Sequence, residues 1–122
     1  MHKVGEIKKE IIDLLNLDIT PGVPIYIGKN NIQHIQNDHP YEYEKYYEYL
    51  PDIIASPDYI GINPKDKSIQ YIKQFIINKE YIRVAVKVSR GNKYYVRTLH
   101  LLSTNNAQRY IEKGTLKRLD NN

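Results

Sequence analysis

The chain has 122 residues, 41% hydrophobic and 26% charged, which sets it among soluble globular proteins of one compact domain with room for a core. It holds no cysteine, which excludes disulfides, thiolate zinc sites and cysteine nucleophiles and fits a reducing cytoplasm. Its net charge of +4 hides a division, because residues 1–64 carry five Lys/Arg against ten Asp/Glu and residues 65–119 thirteen against three; the basic half points to a polyanionic partner, or to a generally lysine-rich surface.

In chain order, MHKVGEIKKEIIDLL lacks the apolar run of a secretory signal, and nothing that follows approaches the ~18 apolar residues of a membrane span. Residues 5–17 place Ile7, Ile11, Leu14 and Leu15 at helical spacing, predicting an amphipathic helix. TPGVP ends it, and IYIG reads as a short extended piece. Asn30 or Asn31 is set to cap a second helix with Ile32 and Ile35 inward, closed before Pro40 because the residue preceding a proline is pushed out of the helical region. Residues 41–50 predict a third helix with a stripe of Tyr43, Tyr46, Tyr47 and Leu50, and Pro51 starts the short turn PDIIAS. From Asp58 the period becomes strand-like. DYIGI, SIQYIKQFII, YIRVAVKVS and YYVRTLHLL are separated by the turns NPKD, NKE and RGNK, too short for anything but antiparallel neighbours. STNNAQRYIEKG closes the domain as a helix capped by Ser103 or Thr104 and stopped by Gly114. The expected architecture is α+β, with N-terminal helices packed on a four-stranded antiparallel sheet.

A turn at Gly91-Asn92 sets residue 88 opposite 95, 86 opposite 97, 85 opposite 98 and 83 opposite 100. Ile82, Val84, Val86 and Val88 then share the helix-facing side with Leu99 and Leu101. The other side collects Arg83, Lys87, Thr98 and His100. Two cations, a hydroxyl and an imidazole suit a phosphate, and they equally suit the solvated side of a hairpin. Arg97 falls on the apolar side, and a slip of one residue would exchange it with Thr98 and His100.

His34 and His39, in the stretch NIQHIQNDHP, lie five residues apart, about 140° around a helix axis. They cannot chelate one metal as an i, i+4 pair does, and the stretch lacks the glutamate of the zinc-protease motif. His39 sits at a helix end, where its ring is free to turn toward another element. The pair reads as an acid–base couple working near neutral pH, or as helix-end histidines bonded to the backbone.

The segment IYIGKNNIQHIQNDHPYEYEKYYEYLPDIIASPDYIGINPKD, with later strands ending YVRTLHLLS, resembles a phage-associated nuclease family of the barnase, EndoU, colicin and RelE-like (BECR) fold. The resemblance runs from about Ile25 to Leu119, leaving residues 1–20 as an accessory N-terminal helix within a single domain spanning 1–122. It is carried by His34 to His39-Pro40, PDYIG at 57–61 and Thr98. It implies a metal-independent ribonuclease without cofactor, an effector or toxin of phages or mobile elements acting in the host bacterial cytoplasm. RNA, whether tRNA or another single strand, is the implied partner, and a cognate inhibitor protein is left open. His34, His39 and Thr98 match family positions. Lys87 as a catalytic group and Arg83 as a substrate contact come from the sheet geometry and agree with the fold's use of sheet-borne cations; His100 rests on geometry alone, and Arg97 joins as a further substrate-binding candidate.

The strands show no glutamate placed to act as base, so a histidine scheme is expected. One imidazole takes the 2′-hydroxyl proton, the other protonates the leaving 5′-oxygen, and the cations with Thr98 hold the phosphorane. The products are a 2′,3′-cyclic phosphate and a 5′-hydroxyl. Tyr94, Tyr95 and the tyrosines of 41–49 are available to stack on bases. The rival expectation is a non-catalytic nucleic-acid-binding or protein-interaction module on the same fold; a third is a toxin that cuts only on the ribosome.

Overall fold

The protein is described by a computed structural model covering residues 1–88 and 93–119; the turn expected at Gly91-Asn92 lies outside them. Strand β1 spans His2–Ile7, helix α1 Lys9–Leu15, strand β2 Val23–Ile27, helix α2 Lys29–Asp38 and helix α3 Pro40–Tyr46. A single 3-10 turn, Tyr47–Tyr49, leads into helix α4, Leu50–Ala55. Strands β3 (Tyr59–Ile62), β4 (Ile69–Phe75), β5 (Glu80–Val88) and β6 (Tyr94–Leu102) follow, then helix α5 (Thr104–Glu112) and strand β7 (Leu116–Arg118). Among the described residues no helix is long and apolar enough to cross a membrane.

The α+β class holds, but the sheet is larger than expected. Among the described residues seven strands lie in the order β1-β2-β6-β5-β4-β3-β7, all neighbours antiparallel except β2 and β6, which run parallel through the pairs Ile25–Tyr94 and Tyr26–Tyr95. The expected first helix is split, because residues 2–7 are an edge strand and only Lys9–Leu15 is helical. The cause is that Ile7 ends β1 while Ile11 belongs to α1, both of them buried, so the i, i+4 spacing read as one helix crosses a strand–helix junction. Strand β7 is three residues long, too short to leave a periodic signal.

The expected 41–50 helix also divides. Tyr46 has φ −123°, which breaks α3 from the 3-10 turn, and Pro51 sits in the first turn of α4, where its missing N–H costs nothing. Tyr46 and Leu50 of the expected stripe are buried, and Tyr43 and Tyr47, stacked at 4.8 Å, pack half-buried against the same core.

One face of the sheet builds the main core. Ile82, Val84 and Val86 of β5, Tyr71 of β4 and Val96 and Leu99 of β6 are fully buried against Ile35, Tyr46, Ile53 and Ile54 of the helices. Val88 and Leu101, expected on this face, run past the helical cover and are exposed. The opposite face has a second, smaller core where α5 lies on it, made by Ile72, Tyr81, Leu102, Ala107 and Leu116. Ser103 caps α5 by accepting the Asn106 N–H.

The β5–β6 register follows the expectation only in part. Arg83 faces His100 and Ala85 faces Thr98, but Val86 faces Val96 and Val88 faces Tyr94. A bulge between these pairs drops Arg97 out of the ladder. Val96 thereby takes the buried place that an unbroken ladder assigns to Arg97, whose cation stays exposed. Burying an unpaired guanidinium would be far costlier than a bulge.

Candidate active site

The site forms where β2 and β6 separate. After two residue pairs the parallel seam ends, and the chain leaves β2 to form α2 and α3 beside the free edge of β6. Glu42 of α3 closes that edge, its Oε2 accepting the Leu101 N–H at 3.0 Å. At its other side α3 is tied to β5 through Glu80, whose carboxylate accepts from Tyr41 at 2.9 Å, from Tyr46, and from Lys45 at 3.5 Å. Burial works against that charge, but these bonds outweigh it and hold the Glu80 carboxyl below its usual range.

Pinned on two strands, α3 fixes the residue that joins it to α2. His39 is at once the last cap of α2, its N–H bonded to the Ile35 carbonyl, and the first cap of α3, its carbonyl bonded to the Tyr43 N–H. Pro40 forces it out of helical conformation, at φ −134° and ψ 57°. That break turns the His39 ring back toward α2 and across to the sheet.

Three imidazoles then stand in a row. The His34 and His39 rings meet edge-on with centres 5.7 Å apart, and His39 meets His100 of β6 at 5.0 Å. His34 Nδ1 lies 2.8 Å from Asp38 Oδ2, and its side chain is 46% exposed. His39, 26% exposed, has Nδ1 3.7 Å from Glu42 Oε2, beyond hydrogen-bond reach but close enough for the fixed carboxylate to bias the ring's orientation. His100 is the innermost. Arg83 Nε donates to its Nε2 at 2.8 Å, and Arg83 Nη1 donates to Gln70 Oε1 at 3.2 Å. With Nε2 accepting, the neutral His100 carries its proton on Nδ1. Burial first, then the Arg83 and His39 charges, push the His100 pKa down to about 4, so the ring is neutral at pH 7. Burial also lowers the Arg83 pKa, leaving it a cation.

Among the candidates from sequence, the structure thus gathers His34, His39, His100 and Arg83. Thr98 lies two pairs along from His100, on the same face of β6, with its hydroxyl buried and without a hydrogen-bond partner among the described residues. Lys87 does not join the rings, standing four residues, roughly 13 Å, along β5 from Arg83. Both Lys87 and the bulged Arg97 act on Asp66, whose carboxyl is held low first by the Ser68 N–H and hydroxyl and then by these two charges. Glu42, Asp38 and Gln70 were not singled out in the sequence. The i, i+3 spacing of His39 and Glu42 and the i, i+4 spacing of His34 and Asp38 were readable helix-neighbour signals; Gln70 reaches Arg83 only through the sheet.

A mixed sheet with helices folded over one strand edge, and imidazoles and a guanidinium gathered at that edge, makes up a small α+β domain. The chain belongs to the family described as phage-Barnase-EndoU-ColicinE5/D-RelE like nuclease 3, whose model matches residues 2–109. The match takes in β1 and α1 and runs through β6 into α5. No curated protein and no solved structure matches the chain.

Proposed function

We propose that the protein is a metal-independent endoribonuclease in which His34 and His39 exchange protons with RNA, and that it serves a phage or mobile element as an effector or toxin in the bacterial cytoplasm. The observation that carries this reading is the row of three rings ending on Arg83. His34 and His39 stand side by side and partly open to solvent, at a spacing that lets them serve two oxygens of one phosphodiester. One imidazole accepts the 2′-hydroxyl proton as that oxygen attacks phosphorus; the other donates a proton to the departing 5′-oxygen. The bond to the 5′-oxygen breaks as the 2′-oxygen bond forms, giving a 2′,3′-cyclic phosphate and a 5′-hydroxyl. Both proton transfers and the charge stabilisation are supplied by side chains.

His100 has a different part. Its Nε2 is occupied by Arg83, and its ring is neutral at pH 7, so it orients the guanidinium instead of titrating in the cycle. Arg83, held by His100 and Gln70, is set to receive the charge that builds on the non-bridging oxygens. Lys87 and Arg97, too far out for the reacting phosphate, suit flanking phosphates of the same strand. Thr98, two residues before His100 on the same side of β6, sets a buried hydroxyl beside this group.

The test is incubation of the purified protein in EDTA with mixed tRNA and synthetic RNA, beside matched DNA and a His34→Ala/His39→Ala variant. Cuts in RNA ending in cyclic phosphate, absent with DNA and with the variant, are expected. Intact RNA together with salt-sensitive binding would overturn the free-RNA nuclease reading. It would put the non-catalytic binding module ahead, with cleavage on ribosomes the next assay.

A further inference from the structure

A cleft of about 420 Å³ opens beside the imidazole row, and its wall includes Arg83 and Gln70 of the sheet, Lys65 of the β3–β4 turn, and Tyr110, Lys113 and Thr115 at the end of α5. The volume is in the range of small-ligand sites. Sharing Arg83 makes the cleft continuous with the candidate active site. Three cations line it, and no carboxylate does among the described residues. Asp66, the acid of the same turn, is turned onto Ser68. Tyr110 is held by packing on the smaller core, and the Arg109 guanidinium lies 5.3 Å from its ring centre. Gly114, at φ +79°, makes the left-handed turn that places Lys113 and Thr115 on the same rim.

We propose that this cleft binds the nucleotide adjoining the scissile phosphate of a single-stranded RNA, with Lys65 and Lys113 on its phosphate and Tyr110 against its base. The proposal rests on the ribonuclease reading of the imidazole row and extends it to a second nucleotide. The cations point to a phosphate and the rigid phenol to a flat ring. A concave wall that must receive the base excludes one already stacked and paired in a duplex. Because Arg83 borders both places, a strand seated in the cleft brings its next phosphate to the guanidinium and the rings.

The test uses an all-2′-deoxy hexanucleotide of mixed sequence, which lacks the attacking hydroxyl and therefore reports binding alone. A Lys65→Ala/Lys113→Ala variant, altered only at exposed positions, is expected to bind it about tenfold more weakly. The slope of log K against log salt should fall by ~1.4, since each phosphate contact on a single strand contributes about 0.7. Tyr110→Leu, which keeps apolar packing, should weaken binding about tenfold with the slope unchanged. The duplex of the same sequence should bind the wild-type protein less well than the single strand. Wild-type affinity and slope in both variants, or equal binding of duplex and single strand, would overturn the cleft even if the protein cleaves RNA. Weakened binding in the variants of a protein that cuts no RNA would remove the ribonuclease reading and leave the cleft as a single-strand site.

Discussion

His39 occupies a backbone position shared by two helices, and its chemistry follows from that. In a straight helix its ring would stand about 140° from His34, whereas the break before Pro40 brings the two ring centres to 5.7 Å. Replacing either histidine with alanine should lower kcat on RNA by about 10²–10⁴-fold, the usual yield of a positioned acid or base; unchanged kcat in both single variants would exclude the histidine scheme. Arg83→Lys keeps the charge but loses the planar fork that spans His100 and Gln70, and kcat should fall by roughly 10²-fold. His100 leaves a mark on stability. Its pKa is about 4 in the folded protein and near 6.5 in the unfolded chain, so below pH 6.5 the unfolded chain takes up the proton that the folded one refuses. Stability is therefore full above pH 6.5 and lost as pH falls toward 4. The shift at about 1.4 kcal/mol per unit, discounted for the part of the ring still in solvent, leaves a loss on the order of 2 kcal/mol. Urea unfolding at pH 7.5 and 4.5 measures it, and His100→Gln, which can still accept from Arg83, should flatten the difference. At this scale the sequence was informative for the histidines, because a proline after a histidine marks a helix end. Glu42 was passed over because its value lies in the edge N–H it covers, which no local pattern records.

Among elements, the junctions are more telling than the periodic stretches. Gly61 of β3 faces Leu116 of β7, and a Cβ built there would lie 2.3 Å from the Thr115 carbonyl oxygen. That neighbour is backbone and cannot swing aside, so Gly61→Ala should displace β7 and cost roughly 1–3 kcal/mol. Thermal melts check this, and an unchanged Tm would mean that β7 yields without cost. The Glu42 contact makes a second prediction. Glu42→Ala opens an edge N–H at the partly exposed Leu101, so Tm should move little, while loss of the carboxylate that steadies His39 should lower kcat about tenfold. Strands β4, β5 and β6 and helix α5 were legible because their periods are long and because Ser103 caps α5 as its sequence suggests. Strand β1 was not, since Ile7 at its end stands at a helical interval from Ile11 of α1. Nor was the pairing of β2 with β6, because a parallel contact between residues 25 and 94 has no signature in the intervening sequence. Arg97 shows a subtler failure: the register was right at Ala85–Thr98 and wrong one pair further on, where the ladder bulges to keep the cation out of the core.

Across the whole molecule, charge is divided along the chain, and the fold sets Arg83, Lys65 and Lys113 of the basic half around one cleft, with Lys87 further along the same strand as Arg83. Binding of single-stranded RNA should therefore weaken steeply with salt, each neutralised phosphate adding about 0.7 to the slope. A slope near zero would mean that these cations do not hold the RNA backbone. The seam between β2 and β6 has a further consequence, for timing. Joining Ile25 to Tyr94 closes most of the chain into a loop, and contacts so distant in sequence are slow to form because the entropy of closure must be met before they yield anything. His34 and His39 leave the ribosome early, yet they meet His100 and Arg83 only after β6 has been made and this loop has shut. On the proposed reading, a nuclease assembled in that order stays inactive until β6 is in place.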